Sequence, residues 1–96
     1  MRHRKTESID EVINNYLKSL GIDKKMKEVR IINLWEETVG KSVAKVTTNI
    51  FINNKTLYVS LRSSVVRNEL MMLRDGIIKA LNDKVDDQII TDIVLR

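Results

Sequence analysis

The sequence predicts a single α+β domain in which helices cover one face of a three-stranded mixed sheet. Apolar residues recur at helical spacing in the first half of the chain, and the period changes to two between residues 48 and 62. A third helical stretch and a final alternating run follow. The 96 residues are enough for one domain and too few for two, and the chain contains no proline. The element order is therefore α-α-β-β-α-β.

Each element follows from local signals. The predicted elements are helices over 9–20, 24–39 and 64–85, a short helical turn over 41–46, and strands over 48–53, 56–62 and 89–95. Ser8 begins a capping box and serves as the expected N-cap of the first helix, and Asp23 is the expected cap of the second. Gly21 and Gly40 suit the positions just after the two helix ends.

The third predicted helix is the longest. Its core stripe is expected to consist of Val66, Leu70, Leu73, Ile77 and Leu81. Gly76 weakens a helix and could mark a break in this one. Trp35, the only tryptophan, lies on the apolar stripe of the second helix. Its position favours a core role over an exposed stacking platform.

The two central strands are predicted to form a hairpin. A two-residue turn at Asn54 and Lys55 would place Phe51 opposite Tyr58, because asparagine tolerates the positive φ that tight turns require. The last strand returns through a helical crossover, so it should run parallel to the second strand. Whether it lies beside the first or the second strand stays open.

Composition excludes several classes of function. There is no cysteine, and His3 is the only histidine, so neither disulfides nor a zinc site nor a Ser-His-Asp triad is expected. No phosphate-cradling glycine loop is present. No apolar run approaches the length of a membrane helix, and no signal-peptide core follows the N-terminus. We expect a cytoplasmic protein that is not an enzyme and holds neither a metal nor a cofactor.

Charge is unevenly distributed. The net charge is +4, which permits nucleic-acid binding without demanding it. Residues 1–7 read as a basic, flexible N-terminal tail, and residues 8–96 as the folded domain. The segment 83–92 is rich in aspartate but lacks calcium-loop spacing, which favours a loop and a helix end.

Two sequence runs resemble a known family. Residues 34–45, LWEETVGKSVAK, look like its W-x-x-x-V-G-x-x-V-A segment, and residues 57–70, LYVSLRSSVVRNEL, resemble its L-x-V-x-v-x-S-S-x-x-x-x-E-L signature. The ending, residues 80–82 and then 89–96, also fits. The chain therefore resembles the DciA family of bacterial replicative helicase loaders, long catalogued as a domain of unknown function. Two features depart from the family: the chain lacks the cysteines and histidines of a zinc ribbon, and we expect no C-terminal extension after Arg96.

The resemblance implies a type II KH-like fold, contact with DNA, and an interaction with the replicative helicase in DNA replication. RNA is the alternative nucleic acid. The Gly-x-x-Gly loop by which true KH domains clamp nucleic acid is absent. The alternative hypothesis is a protein-interaction module, or a homodimer, without a nucleic-acid role.

Several basic residues are candidates for phosphate contact. Arg62, Arg67 and Arg74 are expected near the junction of the second strand and third helix, with the last two on one helix side. They could instead be a solvated flank whose stems cover the core. The other candidates are Lys41 and Lys45 after the second helix, and Arg2, Arg4 and Lys5 in the tail.

Four residues are candidates for partner binding. Phe51 and Tyr58 share the outer sheet face, where aromatic residues can stack bases, pair across strands or seal a dimer. Val65 and Met72 lie off the core stripe of the third helix. A partner could cover them, as could the first two helices.

Overall fold

The computed structural model describes the backbone of residues 2–96 and the side chains of residues 9–16 and 18–96. The elements are α1 (Arg2–Ser19), α2 (Ile22–Asn33), α3 (Trp35–Val39), α4 (Lys41–Val46), β1 (Thr47–Asn53), β2 (Thr56–Leu61), α5 (Ser64–Met72), α6 (Arg74–Val85) and β3 (Asp92–Leu95). The predicted α+β class with a three-stranded mixed sheet is confirmed. The order is compatible with a type II KH-like fold. None of the described helices is long and apolar enough to cross a membrane.

The sheet has β2 at its centre. β1 pairs with β2 antiparallel, and β3 pairs with β2 parallel, as the crossover predicted. Asn54 and Lys55 both have positive φ, 51° and 61°, which is the geometry of a two-residue hairpin turn whose twist matches the strands. Phe51 lies opposite Tyr58, as predicted. The neighbour of the last strand, which the sequence left open, is β2.

The core lies between the inner sheet face and helices α2, α3, α5 and α6. Its buried side chains are Ile31, Trp35, Leu57, Val59, Leu61, Leu70, Ile77, Leu81, Val85, Ile89, Ile90 and Ile93. Trp35 is 4% exposed, and its indole N–H donates to Thr47 Oγ1 at 3.1 Å. The predicted core role of Trp35 is confirmed.

The first two predicted helices have different ends. α1 already begins at Arg2, so Ser8 lies inside the helix and is not its N-cap. The residue before α2 is Gly21, at φ 77°, and Asp23 lies in the first turn of the helix rather than at its cap. The predicted helix over 24–39 is interrupted at Leu34, whose N–H is shared between the carbonyls of Arg30 and Ile31. Such a shared bond is typical of a helix end, and α3 starts directly after it.

The third predicted helix divides at Leu73, not at Gly76. Leu73 is 59% exposed, so its assignment to the core stripe is wrong, whereas Leu70 and Ile77 on either side are buried. The two helices have different neighbours: α5 packs on β2 and β3, whereas α6 packs on β3, α2 and α3. Gly76 lies inside α6, where a Cβ would meet nothing within 4 Å.

A buried asparagine shortens the last strand. Asn82 on α6 is 2% exposed. Its Oδ1 atom accepts hydrogen bonds from the N–H groups of Ile89 and Ile90, both at 3.1 Å. Its Nδ2 atom donates to the Ile90 carbonyl at 2.8 Å. Ile89 and Ile90 are both buried, so the alternation that predicted a strand from residue 89 does not hold there. β3 therefore begins only at Asp92.

The molecule is elongated. Its principal extents are 59 × 20 × 20 Å and its radius of gyration is 16.7 Å, against about 12.5 Å for a compact domain of this length. The main neighbour of α1 is α2. The described apolar side chains of α1, Ile9, Val12, Ile13 and Tyr16, are all more than half exposed and lie outside the core.

Candidate nucleic-acid interface

A basic cluster lies where α4 meets the end of β2. It consists of Lys41, Lys45, Arg62 and Arg67. The backbone N–H of Arg62 donates to the Val46 carbonyl at 2.9 Å, and its guanidinium Nη2 donates to the Lys45 carbonyl at 2.9 Å. The hairpin thus brings together Lys45 and Arg62, which are 17 residues apart in sequence.

Local geometry explains why these cations share one surface. Gly40, at φ 96°, makes the corner between α3 and α4 in a conformation that other residues adopt with strain. Lys41 and Lys45 follow one turn apart on α4, so both heads project on the same side. Arg62 adds its charge at the carboxyl end of α4, where the helix dipole favours a cation.

Arg67 is the least exposed member of the cluster. Its Nη2 donates to the Leu61 carbonyl at 3.3 Å, and its Nε atom is buried without a hydrogen-bond partner among the described residues. It lies on the first turns of α5, whose N-cap Ser63 accepts from the Val66 N–H at 3.2 Å. The other N–H groups of the Arg67 guanidinium therefore lie near the amino end of α5.

The four cations of the basic cluster form no ion pair with any described side chain. Their charge is therefore not compensated by a carboxylate of the described residues.

Arg74 is not part of the basic cluster. Its guanidinium binds the Asp92 carboxylate through both Nε, at 3.1 Å, and Nη2. This hydrogen bond, and then the attraction between the charges, raises the pKa of Arg74; the same hydrogen bond first of all lowers the pKa of Asp92. The expected placement of Arg67 and Arg74 on one side of a single helix is wrong, because α5 ends at Met72 and Arg74 begins α6.

Arg74 and Arg62 lie at opposite ends of the central strand. Asp92 pairs with Thr56 at the start of β2, whereas Arg62 follows its last residue. The six residues of β2 separate the two sites by about 20 Å, at roughly 3.3 Å per residue.

The aspartate-rich segment lies at the hairpin-turn end of the sheet. The Thr91 N–H donates to the Lys55 carbonyl at 2.8 Å, which fixes this position. Asp87 binds Lys27 at 3.1 Å, and this hydrogen bond is the main reason why the pKa of Asp87 is lowered and that of Lys27 is raised. Asp83 binds Lys79 at 2.9 Å. Charges at this end are thus mostly compensated, in contrast to the basic cluster.

The outer sheet face carries an aromatic pair. The rings of Phe51 and Tyr58 are stacked, with centroids 4.8 Å apart and planes 9° from parallel. The Arg96 guanidinium carbon lies 5.7 Å from the Phe51 centroid and 5.3 Å from that of Tyr58. The geometry is a cross-strand pair with a cation above it. Base stacking and dimer sealing stay predictions.

Val65 and Met72 are exposed on α5, at 65% and 81%. The alternative that the first two helices cover them is wrong, because α5 packs on β2 and β3 while α2 packs on α6 and β1. Their proposed role in partner binding stays a prediction. The side chains of Arg2, Arg4 and Lys5 lie outside the described residues.

One exposed surface could not be predicted from the sequence. Apolar residues at helical spacing on α1 and α2, such as Ile13, Tyr16 and Val29, are more than half exposed. Helical spacing alone could not reveal this, because the same period results whether the domain itself or another molecule covers the stripe.

Comparison with known proteins supports the resemblance. The model of the family described as "Dna[CI] antecedent, DciA" matches residues 8–95. A "UPF0232 protein" of Corynebacterium glutamicum (strain R) is 29% identical over 90 residues, which are 94% of this chain and 51% of that protein. The chain therefore spans about half the length of this curated relative. Because the family model covers nearly the whole chain, the protein belongs to the DciA family.

Proposed function

We propose that this chain is a non-catalytic adaptor that binds DNA through the basic cluster and contacts the replicative helicase during DNA replication. Membership of a replication-related family of helicase loaders supports the helicase half. The basic cluster supports the DNA half, and it is the observation that carries the proposal.

The basic cluster suits a phosphate backbone. Its cations lack carboxylate partners among the described side chains, and two of them, Lys41 and Lys45, are exposed on one side of α4. Arg62 is fixed by its bond to the Lys45 carbonyl and still has free N–H donors. Phosphate contacts of this kind give affinity without base preference.

Other predicted contacts have a smaller part. Arg74 contributes less than the basic cluster, because Asp92 already neutralises its charge. Arg2, Arg4 and Lys5 add long-range attraction to DNA through their charge. Cytoplasmic location is part of the same proposal, since the replicative helicase works there.

The test is DNA binding as a function of salt. Fluorescence anisotropy with labelled single-stranded and duplex DNA should show binding that weakens as salt rises. Each lost phosphate contact lowers the slope of log affinity against log salt by about 0.7 for single strands and about 0.9 for duplex. The double variant Lys41→Gln/Lys45→Gln should therefore lower the slope by about 1.4–1.8. Both residues are exposed and have no described partner, so the fold should survive.

The matched control is Lys79→Gln/Lys84→Gln. It removes the same net charge from residues that pair with Asp83 and Glu37. If both double variants lower affinity equally, the effect is one of net charge and the basic cluster is not the DNA site. If the unmodified chain does not bind DNA even at low salt, the DNA half of the proposal is wrong.

A protein-interaction module without a nucleic-acid role is the second candidate. The exposed apolar residues on α1, α2 and α5 favour it. Absence of DNA binding, together with binding to the purified cognate helicase, would select this candidate.

A further inference from the structure

One part of the apolar surface of the first two helices lies outside the core, although Ile31 of α2 is buried in it. We call this exposed part the α1–α2 face; its members are Ile9, Val12, Ile13, Tyr16, Leu20, Ile22, Met26 and Val29, which are 41–66% exposed. On α1 they recur at intervals of three and four residues, so they occupy one side of the helix. An isolated helix gains nothing from such a stripe, since apolar side chains are stabilised only when another surface covers them.

The area of this face is that of an interface. At these exposures, the eight residues together present on the order of 900 Å² of residue surface to solvent, with their backbone included. A standard protein–protein interface covers about 800 Å² per partner. The exposed residues of α1 and α2 are therefore numerous enough to hold a protein partner.

The charges beside the face indicate the kind of partner. A groove of about 470 Å³ lies along α2, with Ile22, Met26 and Val29 as its apolar floor. Lys25 and Arg30 line it as well, and they lie on opposite sides of the apolar stripe of the helix. No carboxylate of the described residues lines the groove, and Lys25 stays 80% exposed although Glu28 lies 3.9 Å from its ammonium group. An apolar floor with one cation on each side complements a segment whose apolar side chains are flanked by acidic ones.

We propose that the α1–α2 face binds an amphipathic, acid-flanked helix of a protein partner. Apolar anchors of that helix occupy the groove, and its carboxylates pair with Lys25 and Arg30. The proposal rests on the proposed function in one respect, since it takes the replicative helicase as the carrier of the segment.

Two other occupants fit the face less well. A membrane surface suits a helix whose polar side is strongly cationic, but the described polar side of α1 carries Asp10 and Glu11 against Lys18. In a second copy, the same groove would bring Lys25 and Arg30 close to cations of the other chain. The measurements below separate all three occupants.

The first probe is a fluorescein-labelled 18-residue peptide with leucines at helical spacing and flanking glutamates; its partner peptide has lysines instead. The chain should bind the glutamate peptide more tightly than the lysine peptide. Met26→Asp/Val29→Asp should weaken this binding at least ten-fold, because a carboxylate then stands on the apolar floor. Both residues are exposed, so the fold should persist. The matched control is Leu73→Asp, at a residue that is 59% exposed between α5 and α6, and this variant should bind as the unmodified chain does.

Charge reversal tests the flanking cations. Lys25→Glu/Arg30→Glu should exchange the preference, with the lysine peptide now bound more tightly. Equal binding of the two peptides by the unmodified chain, or binding that Met26→Asp/Val29→Asp leaves unchanged, would overturn the proposal. Self-association in ultracentrifugation that is lost in that variant, without peptide binding, would assign the face to a second copy. Loss of binding to anionic phosphatidylserine vesicles, again without peptide binding, would assign it to a membrane.

The second probe is the purified cognate helicase, which separates this inference from the proposed function. If the helicase binds the unmodified chain and the Met26→Asp/Val29→Asp variant equally, the inference fails and the proposed function stands. If the helicase does not bind but the glutamate peptide binds with the expected preference, the proposed partner is wrong and the chemistry assigned to the face stands.

Discussion

Replacing Asn82 by alanine should destabilise the domain more than most single substitutions. The amide satisfies three buried backbone groups: the N–H groups of Ile89 and Ile90 and the carbonyl of Ile90. Each unsatisfied buried group costs about 1–3 kcal/mol. Local relaxation of the structure will recover part of this penalty. We therefore expect the free energy of unfolding to fall by about 3 kcal/mol or more, out of the total of about 5–15 kcal/mol that is typical of a domain.

Asn82→Asp separates the acceptor from the donor. The carboxylate keeps an oxygen for the two N–H groups, but its second oxygen faces the Ile90 carbonyl, where the amide had donated. Burial and this repulsion should raise the pKa of the new carboxyl in the folded state above the unfolded value of about 3.9. The penalty is therefore full above the folded-state pKa and shrinks as pH falls towards about 4, since a protonated carboxyl can donate again.

Urea and thermal unfolding, both followed by circular dichroism, measure the free energy of unfolding and the melting temperature. At about 4–8 °C per kcal/mol for a domain of this size, the alanine variant should melt about 12 °C or more below the unmodified chain. Asn68→Ala is the control, because Asn68 is exposed on α5. The reasoning is refuted if Asn82→Ala costs no more than the control, or if the penalty of Asn82→Asp does not change between pH 7 and pH 4.

Two further stability predictions follow from the described contacts. Trp35→Ala should lower the free energy of unfolding by about 3–5 kcal/mol, because the indole is 4% exposed and also donates a hydrogen bond to Thr47. A decrease of less than about 0.5 kcal/mol in urea unfolding would contradict this. The pKa of Asp87 is lowered, chiefly by its hydrogen bond to Lys27. The contribution of Asp87 to the free energy of unfolding is therefore present above the unfolded-state pKa of about 3.9, and it is lost as the pH falls through the folded-state pKa. The stability difference between the unmodified chain and Asp87→Asn should accordingly stay constant from pH 7 to about 5 and shrink below about 4; a difference independent of pH would refute it.

The sheet could be predicted from the sequence because side chains alternate along a strand with a period of two, which determines the side chains on each face of the sheet. Leu57 and Val59 point inward and Tyr58 outward in any pairing that buries one face, and the turn at Asn54 and Lys55 then sets the register. Helix interruptions could not be predicted in the same way. Leu73 has the spacing of a core residue and good helix propensity, yet tertiary packing ends the helix there.

The candidate sites were only partly predictable. Lys45 and Arg62 were both proposed, but their contact depends on the hairpin that joins distant segments, which charge patterns do not show. The spacing of seven residues places Arg74 beside Arg67 only if the helix between them is continuous, and it is not. Asn82 gave no signal at all, since a polar residue on a helix is more often exposed than buried.

The uneven compensation of charge along β2 affects how the protein meets a polyanion. The described residues give Arg62 no carboxylate partner, whereas Lys27, Arg74 and Lys79 near the other end of β2 bind Asp87, Asp92 and Asp83. A polyanion therefore attracts the Arg62 end of β2 more strongly than the paired cations at the other end, and it exerts a torque as well as an attraction. Since screening limits this field to about 8 Å at physiological salt, the molecule is turned only in the last stage of approach. Salt then changes the fraction of collisions that occur in the right orientation, in addition to the affinity of the final contact.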